Sequence, residues 1–347
     1  MRYDNLGPNG PRISKICLGT MTFGEQNTEA EGFEQMDYAL SQGVNFFDTA
    51  ELYSTPARAE TQGSTERIIG NWLAARGGRE NLIIATKIAG NLPFAGHIRS
   101  KLDFSRASLE SALEQSLERL QTDYVDLYQL HWPNRKTNFF GKRGYTYDPQ
   151  DSWEDDFLEI LQNFKEIMAS GRVRHWGVSN ETPWGLMRIL QLADAHDLPR
   201  PVSIQNPYSL VNRTFEIGLA EICMREQIAC LPYSPTAFGL LSGKFHRGLD
   251  TPAARLNRFR KSWTRYTGDI TYEAAGRYLE IADKHGLNMV QMSLAFINDQ
   301  PFVASNIIGA TSMEQLRENI ESIDLNLSAD VLADIEAVHE AIPNPAP

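Results

Sequence analysis

Four ionisable residues have the types and the spacing that proton transfer to a polar substrate group requires. Asp48 and Tyr53 lie in the segment NFFDTAELY, Lys87 lies in IIATKI, and His131 lies in VDLYQLHWP. Asp48, Lys87 and His131 each follow a short apolar run, and Tyr53 comes five residues after Asp48. Three consecutive predicted strands therefore end in titratable groups that point the same way.

Together, these four side chains suit the reduction of a carbonyl group. Tyrosine has an ordinary pKa of about 10, and a lysine ammonium beside it stabilises tyrosinate and lowers that pKa. Asp48 is expected to pair with Lys87 and to keep it charged. His131 is expected to donate a hydrogen bond to a carbonyl oxygen, whose negative charge grows as hydride arrives. Each residue alone has a common structural explanation, so the interpretation depends on all four meeting at one face.

The segments that position these residues alternate between strand-like and helix-like patterns. The strand-like segments are short and apolar without strict alternation, as is typical of parallel strands covered on both faces. We predict eight strands, at 16–18, 45–48, 82–87, 124–130, 175–178, 203–205, 229–233 and 305–308. Helical patterns lie between them, among them 31–43, 64–78 and 105–120. The order predicts an α/β fold, a (β/α)8 TIM barrel whose carboxyl strand ends form the active-site face.

Additions to the barrel are expected at its ends and on the catalytic face. The polar, turn-rich N-terminus is expected to form a β-hairpin. Two long connections, 133–154 and 238–287, are expected to project from the catalytic face, the second with an extra helix. A final helix is expected at 328–342, before a short tail. A plain barrel needs about 250 residues, so these additions account for residues 1–347 as a single domain.

The composition argues against some classes of partner and indicates the cellular compartment. A net charge of −11 argues against a nucleic-acid partner, which requires a basic surface. No apolar run approaches the roughly 18 residues of a membrane span, and the N-terminus is unlike a signal peptide. Cys17, Cys223 and Cys230 lack metal-ligand spacing and are interpreted as reduced core thiols. We expect a cytoplasmic protein that binds a small molecule and no metal; the oligomeric state is not readable, with a monomer as the default.

Several segments resemble those of a known family. GTMTFG near residue 20, IIGATSMEQLRENI near residue 310, and QNPYSL, SNET, LSGKF and PFVAS between them are similar to segments of the aldo-keto reductases. The resemblance covers nearly the whole chain and points to the bacterial Tas-type branch, which is related to the potassium-channel β subunits. It implies a catalytic tetrad with a tyrosine proton donor, here Asp48, Tyr53, Lys87 and His131, and all four residues are present.

Polar residues at later strand ends are candidates for holding a cofactor. No G-x-G-x-x-G follows a predicted strand, so the barrel loops are expected to bind a dinucleotide in place of a Rossmann site. Ser179, Asn180 and Gln205 offer hydroxyl and amide groups that suit a nicotinamide carboxamide, although loop capping is the alternative. Tyr233 ends the seventh strand and is either a ring that stacks on nicotinamide or a core tyrosine.

The resemblance extends these candidates to a full nicotinamide dinucleotide site. The segment 234–244 is similar to the family's pyrophosphate loop, and the segment 309–319 matches its adenosine-binding motif. The cofactor-binding residues implied are Thr20, Met21, Asp48, Ser179, Asn180, Gln205, Tyr233, Ser234, Pro235, Leu240, Ser242, Gly243, Lys244, Arg255, Gly309, Thr311, Gln315, Glu318 and Asn319.

A basic cluster bears on the choice between NADPH and NADH. It consists of Arg255, Arg258, Arg260, Lys261 and Arg265. Its ordinary interpretation is a solvated loop, and its functional one is a site for a 2′-phosphate, which guanidinium binds bidentately. The resemblance implies that Lys244 and Arg255 contact that phosphate, so NADPH is the expected cofactor. Gln315 stands where other branches of the family have arginine, which argues the other way, and with Ser312 it fits a capping box.

Apolar residues around the tetrad indicate the substrate class. Met21, Phe23, Tyr53 and Trp132 are expected to line a pocket, with the aromatic residues of the 133–154 loop as a further wall. Such walls fit small aromatic or aliphatic aldehydes and ketones. The predicted function is NADPH-dependent reduction of these carbonyls to alcohols. The alternatives are a non-catalytic NADPH-binding module that senses redox state, and an unrelated barrel enzyme.

Overall fold

Eight parallel strands in sequence order build the centre of the computed structural model, which describes residues 1–261 and 263–347. An antiparallel hairpin of β1 (Tyr3–Asn5) and β2 (Arg12–Ser14) precedes them, as the sequence predicts. The parallel strands are β3 (Ile16–Gly19), β4 (Phe46–Asp48), β5 (Ile83–Ile88), β6 (Val125–Leu130), β7 (Val173–Ser179), β8 (Ser203–Gln205), β9 (Ala229–Cys230) and β10 (Asn306–Ile308).

The sheet curls on itself, as a barrel requires. Each strand pairs with its neighbour in the chain, and β10 pairs with β3. Between β9 and β10 the Ala304 amide donates to the Cys230 carbonyl at 2.9 Å, and the Ile307 amide donates to the Pro232 carbonyl at 2.9 Å. All eight predicted strands are present, so the (β/α)8 prediction is confirmed. The seventh ends at Cys230, earlier than predicted; the Leu231 amide still donates to the Ile204 carbonyl at 2.9 Å, but Pro232 has no amide hydrogen for a ladder.

Helices surround the strands. They are α1 (Glu29–Ser41), α2 (Ser64–Arg76), α3 (Arg106–Leu120), α4 (Phe157–Ala169), α5 (Pro183–Ala195), α6 (Leu219–Glu226), α7 (Arg255–Arg258), α8 (Asp269–Lys284), α9 (Met289–Asn298), α10 (Met313–Glu321) and α11 (Ala329–Ala341). The capping box of Thr28 and Glu31 begins α1, since each side chain binds the other residue's backbone amide. No helix within the described ranges is long and apolar enough to cross a membrane.

The additions to the barrel lie largely where the sequence predicts them. The 133–154 loop contains no helix or strand, and the connection after β9 contains a 3₁₀ helix (Ala237–Ser242), α7 and the predicted extra helix α8. The short C-terminal tail is packed against the molecule. The Pro345 carbonyl accepts hydrogen bonds from Arg143 at 2.5 Å and Thr271 at 3.0 Å, which ties the 133–154 loop to α8.

Candidate active site

A buried ion pair forms the base of the site. Asp48 ends β4 and Lys87 lies near the end of the neighbouring strand β5, so the parallel pairing brings the two together. Lys87 Nζ donates to Asp48 Oδ2 at 2.6 Å and to the Thr49 carbonyl at 2.7 Å. Neither side chain is more than 4% exposed. Burial acts to lower the pKa of Lys87, but the Asp48 carboxylate and Tyr53 oppose it, so the net shift is upward and the ammonium stays charged.

Other strand ends fix the Asp48 carboxylate in place. Asp48 Oδ1 accepts from Gln205 Nε2 at 2.8 Å and from Gln129 Nε2 at 3.4 Å. The Thr20 hydroxyl donates to the Asp48 backbone carbonyl at 2.8 Å. Both carboxylate oxygens are therefore hydrogen-bonded, as a buried charge requires. Gln205, predicted to hold a carboxamide, here uses its amide nitrogen on Asp48 and keeps its side-chain oxygen for another donor.

Tyr53 lies over the ion pair on a tight turn that follows β4. Its backbone amide donates to the Ala50 carbonyl at 3.1 Å, and the Thr55 backbone amide donates to the Met21 carbonyl at 3.0 Å. Lys87 Nζ lies 4.9 Å from the centroid of the Tyr53 ring. Burial raises the pKa of Tyr53, and Lys87 opposes that rise without cancelling it. The expected net lowering of this pKa is therefore wrong, although Lys87 acts in the expected direction.

His131 completes the group from the end of β6. Its ring centroid lies 5.6 Å from that of Tyr53, nearly perpendicular to it. Burial and the nearby Lys87 charge hold the pKa of His131 well below its usual value, so the imidazole is neutral. Nδ1 is buried and has no partner among the described residues. A neutral imidazole is able to hydrogen-bond a substrate oxygen through a ring nitrogen that the substrate reaches, and the buried Nδ1 is not such a nitrogen.

The side chains predicted to contact a nicotinamide form one hydrogen-bonded wall. Ser179 donates to the Gln205 carbonyl at 2.8 Å, and Asn180 Nδ2 donates to the His131 carbonyl at 2.9 Å. The Tyr233 hydroxyl donates to Asn180 Oδ1 at 2.6 Å, and the Tyr233 ring is partly exposed. This wall adjoins the tetrad, because Asn180 binds the His131 carbonyl.

The segment after Tyr233 has an unusual backbone. Ser234, Ala237, Phe238, Gly239 and Gly243 all have a positive φ, in the left-handed region. Such residues turn successive backbone amides toward one side, which makes a concave site for an anion. The rest of the predicted segment contributes Pro235 and Leu240, which are buried, and Ser242, whose hydroxyl donates to the Gly239 carbonyl at 2.7 Å.

Two cations flank this segment without a carboxylate partner. Burial and the charge of Arg255 lower the pKa of Lys244, and Asp250 and Glu318 oppose that shift. Burial lowers the pKa of Arg255 to about 10. Neither side chain forms an ion pair within residues 1–261 and 263–347, and the polar partner of Arg255 is Gln26, at 3.4 Å. Two partly buried cations without an ion-pair partner fit an anionic ligand.

The remaining members of the basic cluster have other environments. Arg258 pairs with Glu25 at 2.9 Å, and Arg265 approaches the Tyr233 hydroxyl at 3.5 Å. Arg260 and Lys261 are exposed. Some residues of the cluster therefore lie on the solvated surface, and others are partly buried. Arg255 is one of the partly buried residues.

The predicted adenosine motif occupies the turn from β10 into α10. Gly309 is exposed, and a Cβ at that position would meet no atom within 4 Å. Gln315 Oε1 accepts from the Thr311 amide at 2.9 Å, while Asn319 Nδ2 donates to the Gly309 carbonyl at 3.2 Å. Glu318 accepts from Asn288 at 2.6 Å. Ser312 caps α10 as expected, but Gln315 reaches back to Thr311, one residue before the cap, so the predicted reciprocal box is incomplete.

The predicted pocket wall is partly correct in position. Trp132 packs against His131, Phe94 and Phe140, with ring centroids 4.7, 5.5 and 5.8 Å away. Phe139 packs against the same apolar cluster as Tyr53. Phe23 is fully buried in the barrel core, so it does not line a pocket as expected. Phe94, which no sequence pattern singled out, belongs to that wall through its contact with Trp132.

A comparison with known protein families identifies one that matches most of the chain. The model of the aldo/keto reductase family matches residues 15–340. The chain belongs to this family. This aldo/keto reductase is 51% identical, over 100% of both chains, to the Escherichia coli (strain K12) protein named Protein tas. It is 32% identical to Uncharacterized oxidoreductase YrpG of Bacillus subtilis (strain 168), over 96% of this chain and 94% of that protein. It is 30% identical to Norsolorinic acid reductase stcV of Emericella nidulans, over 94% and 78% of the two chains. The family and these relatives make the chain an oxidoreductase.

Proposed function

We propose that this aldo/keto reductase reduces aldehyde and ketone carbonyls to alcohols with NADPH, and that Tyr53 donates the proton. The observation that carries the proposal is the meeting of Tyr53, Lys87 and His131 above the Asp48 carboxylate. The Tyr53 ring lies over the Lys87 ammonium and edge-on to the His131 imidazole, and we expect the carbonyl oxygen to bind where these three groups meet.

The residues divide the reaction between them. A hydride adds to the carbonyl carbon, and the Tyr53 Oη–H proton passes to the oxygen, which gives an alcohol and a tyrosinate. Lys87 stabilises that tyrosinate and Asp48 keeps Lys87 in place. His131 hydrogen-bonds the substrate oxygen as its charge grows. Because burial raises the Tyr53 pKa, the phenol carries its proton before substrate arrives, and proton donation of this kind contributes about 10²–10⁴-fold.

NADPH, when bound, supplies the hydride. The Ser179, Asn180 and Gln205 side chains are expected to hold its carboxamide, and the partly exposed Tyr233 ring to pack on its nicotinamide. Lys244 and Arg255, two cations that lack an acid partner, suit the 2′-phosphate. The open space beside Gly309 leaves room for the adenosine.

Turnover tests the proposal directly. NADPH oxidation is measured with a panel of aromatic and aliphatic aldehydes and ketones, and the alcohol is identified by mass. We expect the amount of alcohol formed to equal the amount of NADPH consumed. We expect Tyr53→Phe to form little alcohol. Tight NADPH binding without turnover on any carbonyl would instead favour the regulatory module.

A further inference from the structure

Glu51 is a buried carboxylate inside the turn that carries Tyr53. It is 1% exposed, and Glu51 Oε1 accepts from the Ala89 amide at 2.6 Å and from Arg99 Nη1 at 2.8 Å. Its backbone amide also donates to the Lys87 carbonyl at 3.2 Å. Glu51 therefore holds the Tyr53 turn to the end of β5 at two points, the Lys87 carbonyl and the Ala89 amide.

Arg99 connects the same carboxylate to a wall of the site. It lies in the 91–104 segment, and its side chain is 12% exposed. Leu92, Ile98 and Leu102 of this segment pack in one cluster with Tyr53 and Trp132. The ion pair thus joins the Tyr53 turn to the apolar side chains beside it.

We infer that the Glu51–Arg99 ion pair positions Tyr53 over Lys87 and fastens the 91–104 segment as a wall of the substrate pocket. The inference rests on the proposed function, because it assigns a means of placing that function's proton donor. Neither residue contacts the reacting atoms, so both are positioning residues.

Stability alone does not account for such a pair. Removing two charges from water costs several kcal/mol per ion, and apolar replacements of similar volume are often as stable. The pair does supply a fixed geometry, since one carboxylate oxygen binds two donors from separate parts of the chain. Displacing a catalytic group by about 1 Å costs on the order of 10²-fold in rate, so geometry at this turn has a large effect.

The charge of Glu51 depends on pH, which provides a second way to test the role of the ion pair. Burial raises the pKa of Glu51 to about 7, and Arg99 and the Ala89 amide oppose that rise. The other charged or titratable groups that face it are Glu66 on α2 and Tyr128 on β6, and Arg119 on α3 pairs with Glu66. As the pH falls below about 7, Glu51 loses the charge that holds Arg99.

The test compares Glu51→Gln with a matched control at the opposite end of the barrel. Asp126 is likewise fully buried and binds one backbone amide, Ile84 at 2.9 Å, but it binds two arginines, Arg79 at 2.8 Å and Arg174 at 2.9 Å. Glu51→Gln is expected to lower kcat by about 10- to 100-fold, with the Kd for NADPH changed less than about twofold. Asp126→Asn is expected to lower Tm while kcat stays near wild type. Arg99→Lys, which retains a cation, is expected to recover more kcat than Arg99→Met.

Two further measurements distinguish a role in positioning Tyr53 from a general loss of stability. The kcat of the wild type is expected to fall as pH drops below about 7, and Glu51→Gln to lack that decline. Hydrogen exchange is expected to rise in both the 51–62 and 91–104 segments of Glu51→Gln, but not of Asp126→Asn. The inference is overturned if Glu51→Gln matches Asp126→Asn in kcat, or if exchange in the two segments is unchanged. An inactive wild type would instead overturn the proposed function, and hydrogen exchange would still decide the positioning role.

Discussion

The strand-end tetrad and the basic segment after β9 are held in different ways. Asp48 and Lys87 lie on paired strands, are almost fully buried and form hydrogen bonds with each other. Lys244 and Arg255 lie on long connections, are partly exposed and have no carboxylate partner among the described residues. The tetrad is therefore already assembled by the fold, whereas Lys244 and Arg255 have no ion-pair partner that an anionic ligand would have to displace.

The proposed function gives the two regions separate tasks. A group that performs chemistry needs fixed distances, and the sheet supplies them. A group that selects a cofactor needs charge complementarity, and a loop supplies it at a lower cost to the fold. Mutations in the first region are expected to affect kcat and stability, and mutations in the second to affect cofactor affinity.

The largest effect is expected for Lys87→Met. The change leaves the Asp48 carboxylate buried without its cation, and breaking a buried pair costs roughly 3–5 kcal/mol. It also removes the charge that stabilises tyrosinate, so we expect kcat to fall by about 10² or more. The matched control is Lys284→Met, because Lys284 is exposed and pairs with Asp334 at 2.7 Å, which is worth about 0–1 kcal/mol. Equal Tm and kcat losses in the two variants would contradict the assignment of Lys87.

A smaller effect is expected from the titration of Glu51, measured as stability. Its pKa of about 7 in the folded protein lies above its ordinary value of 4.5, so between these pH values the folded state holds a proton that the unfolded state has lost. Stability from this group is present below pH 4.5 and is lost as the pH rises toward 7. At about 1.4 kcal/mol per pH unit, the loss is about 3 kcal/mol.

Urea unfolding at a series of pH values checks this sign. Glu51→Gln does not titrate, so its free energy of unfolding relative to the wild type is expected to rise between pH 4.5 and 7. A difference that stays constant across this range would show that Glu51 has an ordinary pKa.

The preference for NADPH over NADH tests the basic segment after β9. One charge-assisted hydrogen bond contributes about 1.5–3 kcal/mol, so Lys244→Ala is expected to weaken NADPH binding by roughly 10-fold or more. NADH binding should be nearly unchanged. Arg260→Ala is the control, because Arg260 belongs to the same cluster but is exposed. Fluorescence titration that gives equal Kd values for NADPH and NADH in the wild type would exclude a 2′-phosphate site.

The smallest effect is expected from the 133–154 loop. Phe139 and Phe140 reach the Trp132 wall, whereas Tyr145 and Tyr147 are 65% and 74% exposed. Replacing the loop by a short Gly/Ser linker is expected to change the ranking of kcat/KM between bulky and small aldehydes by a few-fold. An unchanged ranking would mean that the loop lies outside the substrate pocket.

The sequence predicted those features that follow from strand periodicity and strand ends. Asp48, Lys87 and His131 each follow an apolar run, and parallel pairing alone brings such positions to one edge. Their meeting, the eight strands and the family are confirmed. The catalytic and cofactor roles of the individual residues stay predictions.

Features that depend on contacts between distant residues escaped the sequence analysis. Glu51 looks like a surface glutamate in a turn, and its burial depends on Arg99, 48 residues further along the chain. The net pKa shift of Tyr53 depends on how deeply the turn is buried, which no pattern of residue types reports. Phe23 fits a pocket by its position in the sequence, but the turn after β3 directs it into the core.

Turnover and cofactor titration of Tyr53→Phe and Lys244→Ala are the most direct test of the two regions. We expect Tyr53→Phe to lower kcat by about 10²–10⁴-fold and to leave the Kd for NADPH within about twofold. We expect the reverse for Lys244→Ala, a weaker Kd with kcat near wild type at saturating NADPH. If Tyr53→Phe keeps more than half of the wild-type kcat, or if both variants lose kcat and affinity together, the division between a catalytic strand-end group and a cofactor-selecting loop is wrong.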